Sequence, residues 1–179
     1  MTDTSVRRRV PPSVMNPALL VDGNDSAFRE LISGLMVMAE QLIELRKLLG
    51  KRLHVTGPQF GILYAIARME KDDGVNVSRV AERLRVSGAF VTTEVGKLVR
   101  KGLVAKRASP RDRRAVLLTL TDEAHEALAK FTPDLQAIND QVFGHLDAKE
   151  FRSLGDMTKR IIEGQRRSLA KLGAPRRQS

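Results

Sequence analysis

Apolar residues recur at alternating spacings of three and four along three long stretches of the chain, and this pattern predicts three long amphipathic helices. The first stretch covers residues 27–49, where the apolar stripe is wider than one neighbouring helix would cover. The other two begin near Thr121 and Asp147. We expect Gly50 to end the first helix and Pro133 to kink the second. Such broad stripes favour burial against a second subunit as well as within the chain.

Shorter elements are predicted between these long helices. The Thr-Gly-Pro-Gln sequence at 56–59 has the form of a capping box with proline in the first turn, which predicts the start of a helix. Asn76 and Ser87 are suited to cap two further helices, joined by a turn of three or four residues. Residues 103–108 and 114–120 read as two strands around a tight tip. The expected order is a helix-turn-helix followed by a hairpin, in a mostly α chain.

Positive charge is concentrated in the middle of the chain. The 179 residues include 31 Lys and Arg against 21 Asp and Glu, a formal charge of +10. From Arg85 to Arg114 there are nine basic and two acidic residues, hence +7, whereas 121–150 holds seven acidic and two basic residues, hence −5. A basic segment of this kind implies nucleic acid or an anionic membrane surface as partner. A helix and hairpin without tryptophan favours nucleic acid, because basic membrane-surface helices usually carry Trp or Phe.

The sequence lacks the patterns expected of an enzyme or a membrane protein. It has no cysteine, its three histidines are scattered, and it contains no phosphate-binding glycine loop or nucleophile motif. We therefore expect no catalytic residue, no metal site and no cofactor. No run of roughly 18 apolar residues occurs, and prolines interrupt the stretch where a signal peptide would need an apolar region. We expect a cytoplasmic protein without a membrane partner.

The helix from Ser87 combines a buried stripe with an outer face of small and polar residues, which is typical of a helix that enters the major groove of DNA. The basic hairpin tip would reach the minor groove, with Asp112 orienting a neighbouring arginine. The candidate DNA-contacting residues are Ser87, Ala89, Phe90, Thr92, Thr93, Lys97, Arg107, Arg111, Asp112, Arg113 and Arg114. The chain ends are expected to be a flexible arm at 1–25 and a frayed tail at 174–179; Arg7, Arg8 and Arg9 either touch phosphate or belong to a solvated arm.

Several of these sequences match one family. They include the helix start at 56–63, the Val-Ala-Glu-Arg-Leu sequence at 80–84, Lys-Gly-Leu-Val at 101–104, and an Asp112-x-Arg114 pattern followed by Leu120-Thr121. Over residues 55–121 the chain closely resembles the MarR family of bacterial winged-helix transcription regulators. The resemblance implies a winged helix-turn-helix domain with a two- or three-stranded β wing at 55–121. It also implies flanking dimerisation helices at 26–54 and 122–173.

The same resemblance implies a function. An obligate homodimer would bind a pseudopalindromic double-stranded DNA operator, and a small, often aromatic and anionic effector would bind between the dimer helices and the winged domain and relieve repression. The candidate effector-binding residues are Met38, Leu42, Arg46, His54, Phe60 and Tyr64, for which core or dimer packing is the alternative role. Two other functions remain open: a non-specific architectural nucleic-acid-binding protein without a ligand switch, and a scaffold for a partner regulator.

The chain departs from the family pattern on the outer face of the second helix of the helix-turn-helix. Arg or Lys is common there, whereas this chain has Gly88, Ala89, Phe90, Thr92 and Thr93. Bidentate recognition of guanine by arginine is therefore not expected from these positions, and contacts with thymine methyl groups are the alternative. The Phe90 ring either makes such a contact or packs against the turn. A second departure is an alanine at position 124, where glycine is frequent.

Overall fold

The computed structural model describes residues 10–70, 74–109 and 116–173. These residues form six helices and three short strands, which confirms the mostly α fold with a small β wing. Two short 3-10 turns, Pro17–Leu19 and Val21–Gly23, come first. The elements that follow are α1 (Ser26–Arg52), α2 (Gly57–Met69), β1 (Val75–Asn76), α3 (Val77–Leu84), α4 (Gly88–Arg100), β2 (Val104–Ala108), β3 (Val116–Leu120), α5 (Asp122–Phe143) and α6 (Ala148–Gly173).

The chain divides into two compact units, one up to Ala127 and one from Leu128 onward. In the first unit the core lies between α2, α3, α4 and the sheet. Its most deeply buried side chains are at most 2% exposed. They are Ile62, Leu63, Ile66, Val80, Val91, Val95, Leu98, Val104 and Leu118. Burying each side chain of this size contributes about 1.5–3 kcal/mol. The positions on α4 are those that the apolar spacing assigned to the core.

The sheet is antiparallel, with β3 between β1 and β2. Val104 pairs with Leu120 and Ala108 with Val116, so β2 and β3 form the expected hairpin. Val75 pairs with Leu118 and supplies a third strand of only two residues. A strand of two residues is too short to show an alternation of apolar and polar positions. The sequence therefore could not distinguish a two-stranded wing from a three-stranded one.

The helix starts lie where the capping residues predicted them. The hydroxyl of Thr56 accepts from the backbone N–H of Gln59 at 3.3 Å, and the Gln59 side chain accepts from the backbone N–H of Thr56 at 3.2 Å, a complete capping box. Asn76 caps α3 and Ser87 caps α4 in the same manner, at 2.8 and 3.1 Å. Each such cap is worth about 1 kcal/mol.

The expectation that Gly50 ends α1 is wrong, because α1 continues to Arg52. Gly50 is buried, and the backbone of Val55 and Thr56 passes directly over it. A Cβ at this position would lie 2.8 Å from the carbonyl oxygen of Val55. The glycine therefore permits a close approach of two backbone segments.

Pro133 lies inside α5, which is a single helix from Asp122 to Phe143.

Residues 10–25 contain more regular structure than the expected flexible arm. Both the backbone N–H and the hydroxyl of Ser13 donate to one carboxylate oxygen of Asp25, each at 2.7 Å. The other oxygen of Asp25 lies 3.2 Å from the guanidinium of Arg29. The two hydrogen bonds from Ser13 lower the pKa of Asp25, ahead of the smaller effect of Arg29. This part of the segment is thereby fixed to the start of α1, whereas residues 1–9 lie outside the described ranges.

The second unit consists of the greater part of α5 together with α6. The rings of Phe143 and Phe151 meet edge to face at the turn between them, with centroids 6.3 Å apart. Asp147 and Glu150 form a capping box at the start of α6. None of the α6 side chains is buried within the chain. Among the described helices, none has the length and apolar character needed to cross a bilayer.

Candidate nucleic-acid interface

A three-residue turn joins α3 to α4. Arg85 adopts a left-handed conformation with φ of 54°, and the backbone N–H of Val86 donates to the carbonyl of Ala81 at 3.1 Å. A left-handed residue costs roughly 1–2 kcal/mol outside glycine, and here it reverses the chain directly after α3. Ser87 then caps α4, so the expected helix-turn-helix is present.

The outer face of α4 is exposed and carries no charge over its first two turns. Ser87, Ala89, Thr92 and Thr93 are all exposed. Phe90 is 39% exposed. The hydroxyl of Thr92 donates to the carbonyl of Gly88 at 2.9 Å, so its proton is used within the helix. What Thr92 presents outward is a methyl group and a hydrogen-bond acceptor, which suits apolar contact with a thymine methyl group.

Lys97 was predicted to supply charge to the DNA backbone, but in the structure it is paired within its own helix. Its ammonium lies 2.5 Å from one carboxylate oxygen of Glu94. The other oxygen of Glu94 accepts from the side-chain amide of Gln59, on α2, at 2.9 Å. Glu94 is 8% exposed and Gln59 is 2% exposed. The bond from Lys97 is the main reason that the pKa of Glu94 is lowered; Gln59 adds to it and burial opposes it.

Sequence reasoning missed Gln59 and Glu94 as parts of this interface. The three-residue spacing of Glu94 and Lys97 on one helix was a signal that the two charges could pair. The contact with Gln59 joins residues 35 positions apart, and no local pattern indicates it.

The hairpin adds exposed positive charge beside α4. Lys106 and Arg107 are both exposed on β2. The predicted wing-tip residues Arg111, Asp112, Arg113 and Arg114 lie outside the described residues, so their roles remain predictions.

The middle of the chain matches a known protein family. The MarR family model matches residues 55–115, which cover α2, α3, α4 and β2. Over this segment, about a third of the chain, the sequence is similar to the MarR family. The winged helix and the resemblance found in the sequence are thereby confirmed.

Relatives of this chain are named as regulators of transcription. The chain is 28% identical over 101 residues to the HTH-type transcriptional repressor MdtR of Bacillus subtilis (strain 168). That alignment covers 56% of this chain and 65% of MdtR, slightly less than two thirds of the repressor's length. These relatives are named as regulators of transcription, in agreement with the expectation from the sequence.

Two solved structures add to this comparison. The PcaV regulator of Streptomyces coelicolor, in complex with its natural ligand, is 26% identical with a TM-score of 0.57 and covers 70% of this chain and 89% of its own. A mutant MarR from E. coli, in complex with operator DNA, is 25% identical with a TM-score of 0.61 and covers 75% of this chain and 96% of its own. The fold is therefore one on which both DNA and a ligand have been observed.

The six predicted effector-binding residues lie on α1, on α2 and in the turn between them. Met38 and Leu42 are 43% and 41% exposed on α1. Phe60 and Tyr64 contact each other on α2, with ring centroids 4.6 Å apart. The hydroxyl of Tyr64 is buried and has no hydrogen-bond partner among the described residues, and burial raises its pKa against the opposing charge of Arg68. Arg46 on α1 lies close to Gly61 on α2: a Cβ added at Gly61 would lie 4.0 Å from the Arg46 side chain.

His54 lines a cavity of about 340 Å³ in the first unit. The cavity lies between the turn after α1 and the end of α4, and its walls are Arg52, Leu53, His54, Lys101, Leu103, Glu123 and Ala127. Lys101, the residue that follows α4, donates from its ammonium to the carbonyl of His54 at 2.5 Å. His54 itself has a positive φ of 54°. Three basic side chains outnumber the single carboxylate of Glu123, and two leucines lie beside them, so the cavity could accept a small anion with an apolar body.

No group of three or more metal-binding side chains occurs in the described ranges. His125 lies 3.0 Å from a carboxylate oxygen of Glu70, and its side chain is about half exposed. The contact ties the start of α5 to the end of α2.

Proposed function

We propose that this chain is a homodimeric, sequence-specific transcriptional repressor that a small anionic ligand releases from a pseudopalindromic operator. The observation that carries the proposal is the exposed, uncharged outer face of α4, placed by a three-residue turn beside a basic hairpin. The repressor function of MdtR and the operator complex of E. coli MarR support it. The protein would work in the cytoplasm, where it has access to the chromosome.

In the proposed complex, α4 lies in the major groove and the hairpin reaches the minor groove. Bases would be contacted mainly through methyl groups and hydroxyl oxygens, and phosphates through the hairpin arginines. The proposed contacts are Ser87, Ala89, Phe90, Thr92, Thr93, Arg107, Arg111, Asp112, Arg113 and Arg114. Lys97 is outside this set because its ammonium already pairs with Glu94.

Dimerisation is proposed from the apolar side chains that α1 and α6 leave uncovered. On α1, Leu31, Met36 and Ile43 are 55%, 62% and 58% exposed, and on α6 Phe151 is 56% exposed. Monomeric proteins rarely expose contiguous apolar faces of this extent. We propose that 26–54 and 122–173 are the dimerisation helices and that 55–121 is the DNA-binding domain. Two α4 helices would then lie roughly 34 Å apart, one turn of DNA.

The ligand is proposed to bind in the cavity at His54. The volume of about 340 Å³ lies at the small end of the range typical for ligand sites. Arg52 and Lys101 would bind a carboxylate, while Leu53 and Leu103 would contact an aromatic or aliphatic body. Lys101 directly follows α4, so a ligand that draws Lys101 from the His54 carbonyl would act on the end of the DNA-contacting helix. The ligand complex of PcaV supports a ligand-responsive family member.

The decisive experiment for DNA binding is selection of bound genomic fragments, followed by titration of the selected duplex and a random duplex of equal length. We expect a pseudopalindrome with half-sites about one helical turn apart and at least 10³-fold preference over random DNA. Equal affinity for both duplexes would instead indicate a non-specific architectural protein. Reporter expression from the selected site, with and without the protein, distinguishes repression from activation.

The ligand switch is tested with the selected duplex already bound. Benzoate and benzamide have similar shapes, but only benzoate carries a charge, so we expect benzoate or a substituted aromatic acid to release DNA and the amide to have no effect. Lys101→Gln should weaken the response to the acid. Retention of DNA with every aromatic acid and thioester in a panel would contradict the ligand switch while leaving DNA binding intact.

A further inference from the structure

The buried amide of Gln59 can point in only one direction. Its oxygen accepts from the backbone N–H of Thr56 in the capping box, so its nitrogen must face away from the start of α2. That nitrogen donates to Glu94 at 2.9 Å. Because Gln59 is 2% exposed, no bulk water can replace this acceptor. The capping box of α2 thus requires a hydrogen-bond acceptor at position 94 of α4.

The same carboxylate holds the only cation in the first three turns of α4. Lys97 and Arg100 are the two basic residues of the helix, and Arg100 is its last residue. The ammonium of Lys97 lies 2.5 Å from Glu94, although its side chain is 45% exposed. A charge–charge hydrogen bond of this kind, with one partner largely buried, keeps the lysine directed along its own helix.

We propose that Glu94 is a positioning residue that determines DNA specificity, by fixing α4 to the start of α2 and by keeping Lys97 from the phosphate backbone. The inference rests on the proposed function, in which α4 lies in the major groove. Affinity for random DNA comes from cations that neutralise phosphates, whereas discrimination comes from contacts with base edges. A helix whose first three turns carry no net charge contributes to discrimination and adds little to non-specific binding.

Glu94→Gln separates the two roles of the carboxylate. The new amide at position 94 can still accept from Gln59 through its oxygen, but it then presents an NH₂ group to Lys97 and releases the ammonium. The double variant Q59E/E94Q exchanges the partners. The carboxylate at position 59 accepts from both Thr56 and the new amide, whose oxygen faces Lys97 again. All three hydrogen bonds are restored with the original net charge.

The experiment measures the affinity of the wild type, Glu94→Gln and Q59E/E94Q for the selected operator and for a random duplex between 50 and 200 mM salt. A released Lys97 that contacts one phosphate steepens the salt dependence of log K by about 0.9, so Glu94→Gln should lose about threefold more random-DNA affinity than the wild type over this range. Its operator-to-random ratio should fall, and the double variant should reverse part of both changes, because Lys97 then pairs with a neutral amide oxygen rather than with a carboxylate. Glu82→Gln is the matched control, because Glu82 is exposed on α3 and its removal changes the net charge equally.

The outcomes separate this inference from the proposed function. If the wild type prefers the operator but Glu94→Gln has the salt dependence of Glu82→Gln, the role of Glu94 is refuted and the DNA-binding function stands. If the double variant is folded by circular dichroism yet retains the steeper slope, the positioning role is likewise refuted. If the wild type shows no preference for the operator, the proposed function fails first. Lys97→Gln provides an independent check that needs no buried substitution. If this variant flattens the salt dependence of log K by about 0.9, Lys97 contacts phosphate in the native complex and the role of Glu94 is refuted.

Discussion

Glu70 accepts a hydrogen bond from the backbone N–H of Leu120 at 2.8 Å, across 50 residues of sequence. Glu70 follows the last residue of α2, and Leu120 is the last residue of β3. The side chain occupies the place where the carbonyl of another strand would complete the ladder. Its second oxygen faces His125 at 3.0 Å, so one carboxylate joins α2, the sheet and the start of α5.

Removing this carboxylate should destabilise the first unit. Glu70→Ala leaves the N–H of Leu120 without its partner, and we expect a loss of about 1–3 kcal/mol in the free energy of unfolding. Glu70→Gln should lose less, because an amide oxygen can still accept. His125→Ala is the control for the exposed ion pair, with an expected effect below about 1 kcal/mol. Urea denaturation measures all three, and a Glu70→Ala midpoint equal to that of the wild type would show that this hydrogen bond contributes nothing.

Two glycines of α1 should respond to alanine in opposite directions. A Cβ at Gly50 would lie 2.8 Å from the carbonyl oxygen of Val55, so Gly50→Ala must displace backbone and should cost about 1–3 kcal/mol. At Gly34 nothing lies within 4 Å, and alanine should stabilise the helix by about 0.5–1 kcal/mol. Thermal unfolding of the pair tests the difference, and a shift in the same direction for both would contradict the close approach at Gly50.

The pKa of Asp25 should rise when Ser13 loses its hydroxyl. The backbone N–H and hydroxyl of Ser13 both hold this pKa below the usual 3.8, so Ser13→Ala removes one of the two donors and moves the pKa part of the way back. Because the folded-state pKa is lowered, the stabilisation is complete above pH 3.8 and is lost as the pH falls through the folded-state value. Carbon-13 NMR titration of the Asp25 carboxylate measures the shift. Ser33 is exposed on α1, and Ser33→Ala should leave the pKa of Asp25 unchanged.

A charge on the uncovered face of α1 should prevent dimerisation. Ile43→Glu places a carboxylate where the side chain is 58% exposed in the single chain and buried in the proposed dimer. We expect the variant to elute as a folded monomer at micromolar concentration in light-scattering chromatography, whereas Glu40→Gln, also on α1, should remain dimeric. A wild type that is itself monomeric under these conditions would favour the scaffold function.

An arginine of the wing should account for about one phosphate contact. Arg113→Ala removes one cation from the hairpin tip, so the salt dependence of log K should flatten by about one unit for both operator and random DNA. Salt-titrated fluorescence anisotropy measures the slope. An unchanged slope would remove Arg113 from the DNA contacts.

Features that depend on neighbouring residues were predictable from the sequence. The side chains of Thr56, Asn76 and Ser87 each accept a hydrogen bond from the backbone N–H three residues later. The residues that predict each cap and the hydrogen bond that forms it therefore lie within one helical turn. The buried stripe of α4 follows in the same way from its apolar spacing. These local rules placed the helix-turn-helix and the hairpin to within a few residues.

The contacts that sequence reasoning missed join distant parts of the chain. Glu94 is one of only two acidic residues in the basic segment from Arg85 to Arg114, and only the packing of α2 on α4 brings Gln59 to it. Gly50 was read as a helix end because glycine commonly occupies that position, whereas its role is set by the backbone that passes over it. The effector residues were transferred by resemblance, and of the six only His54 lines the cavity.

The buried phenol of Tyr64 has a practical consequence, because the chain contains one tyrosine and no tryptophan. Ultraviolet emission from the protein therefore originates from a single position on α2, where the ring lies against Phe60. Movement of α2 against its neighbours would change the polarity around that ring and hence its quantum yield. An unlabelled sample, excited at the tyrosine band, thus reports ligand-induced rearrangement of this helix in real time.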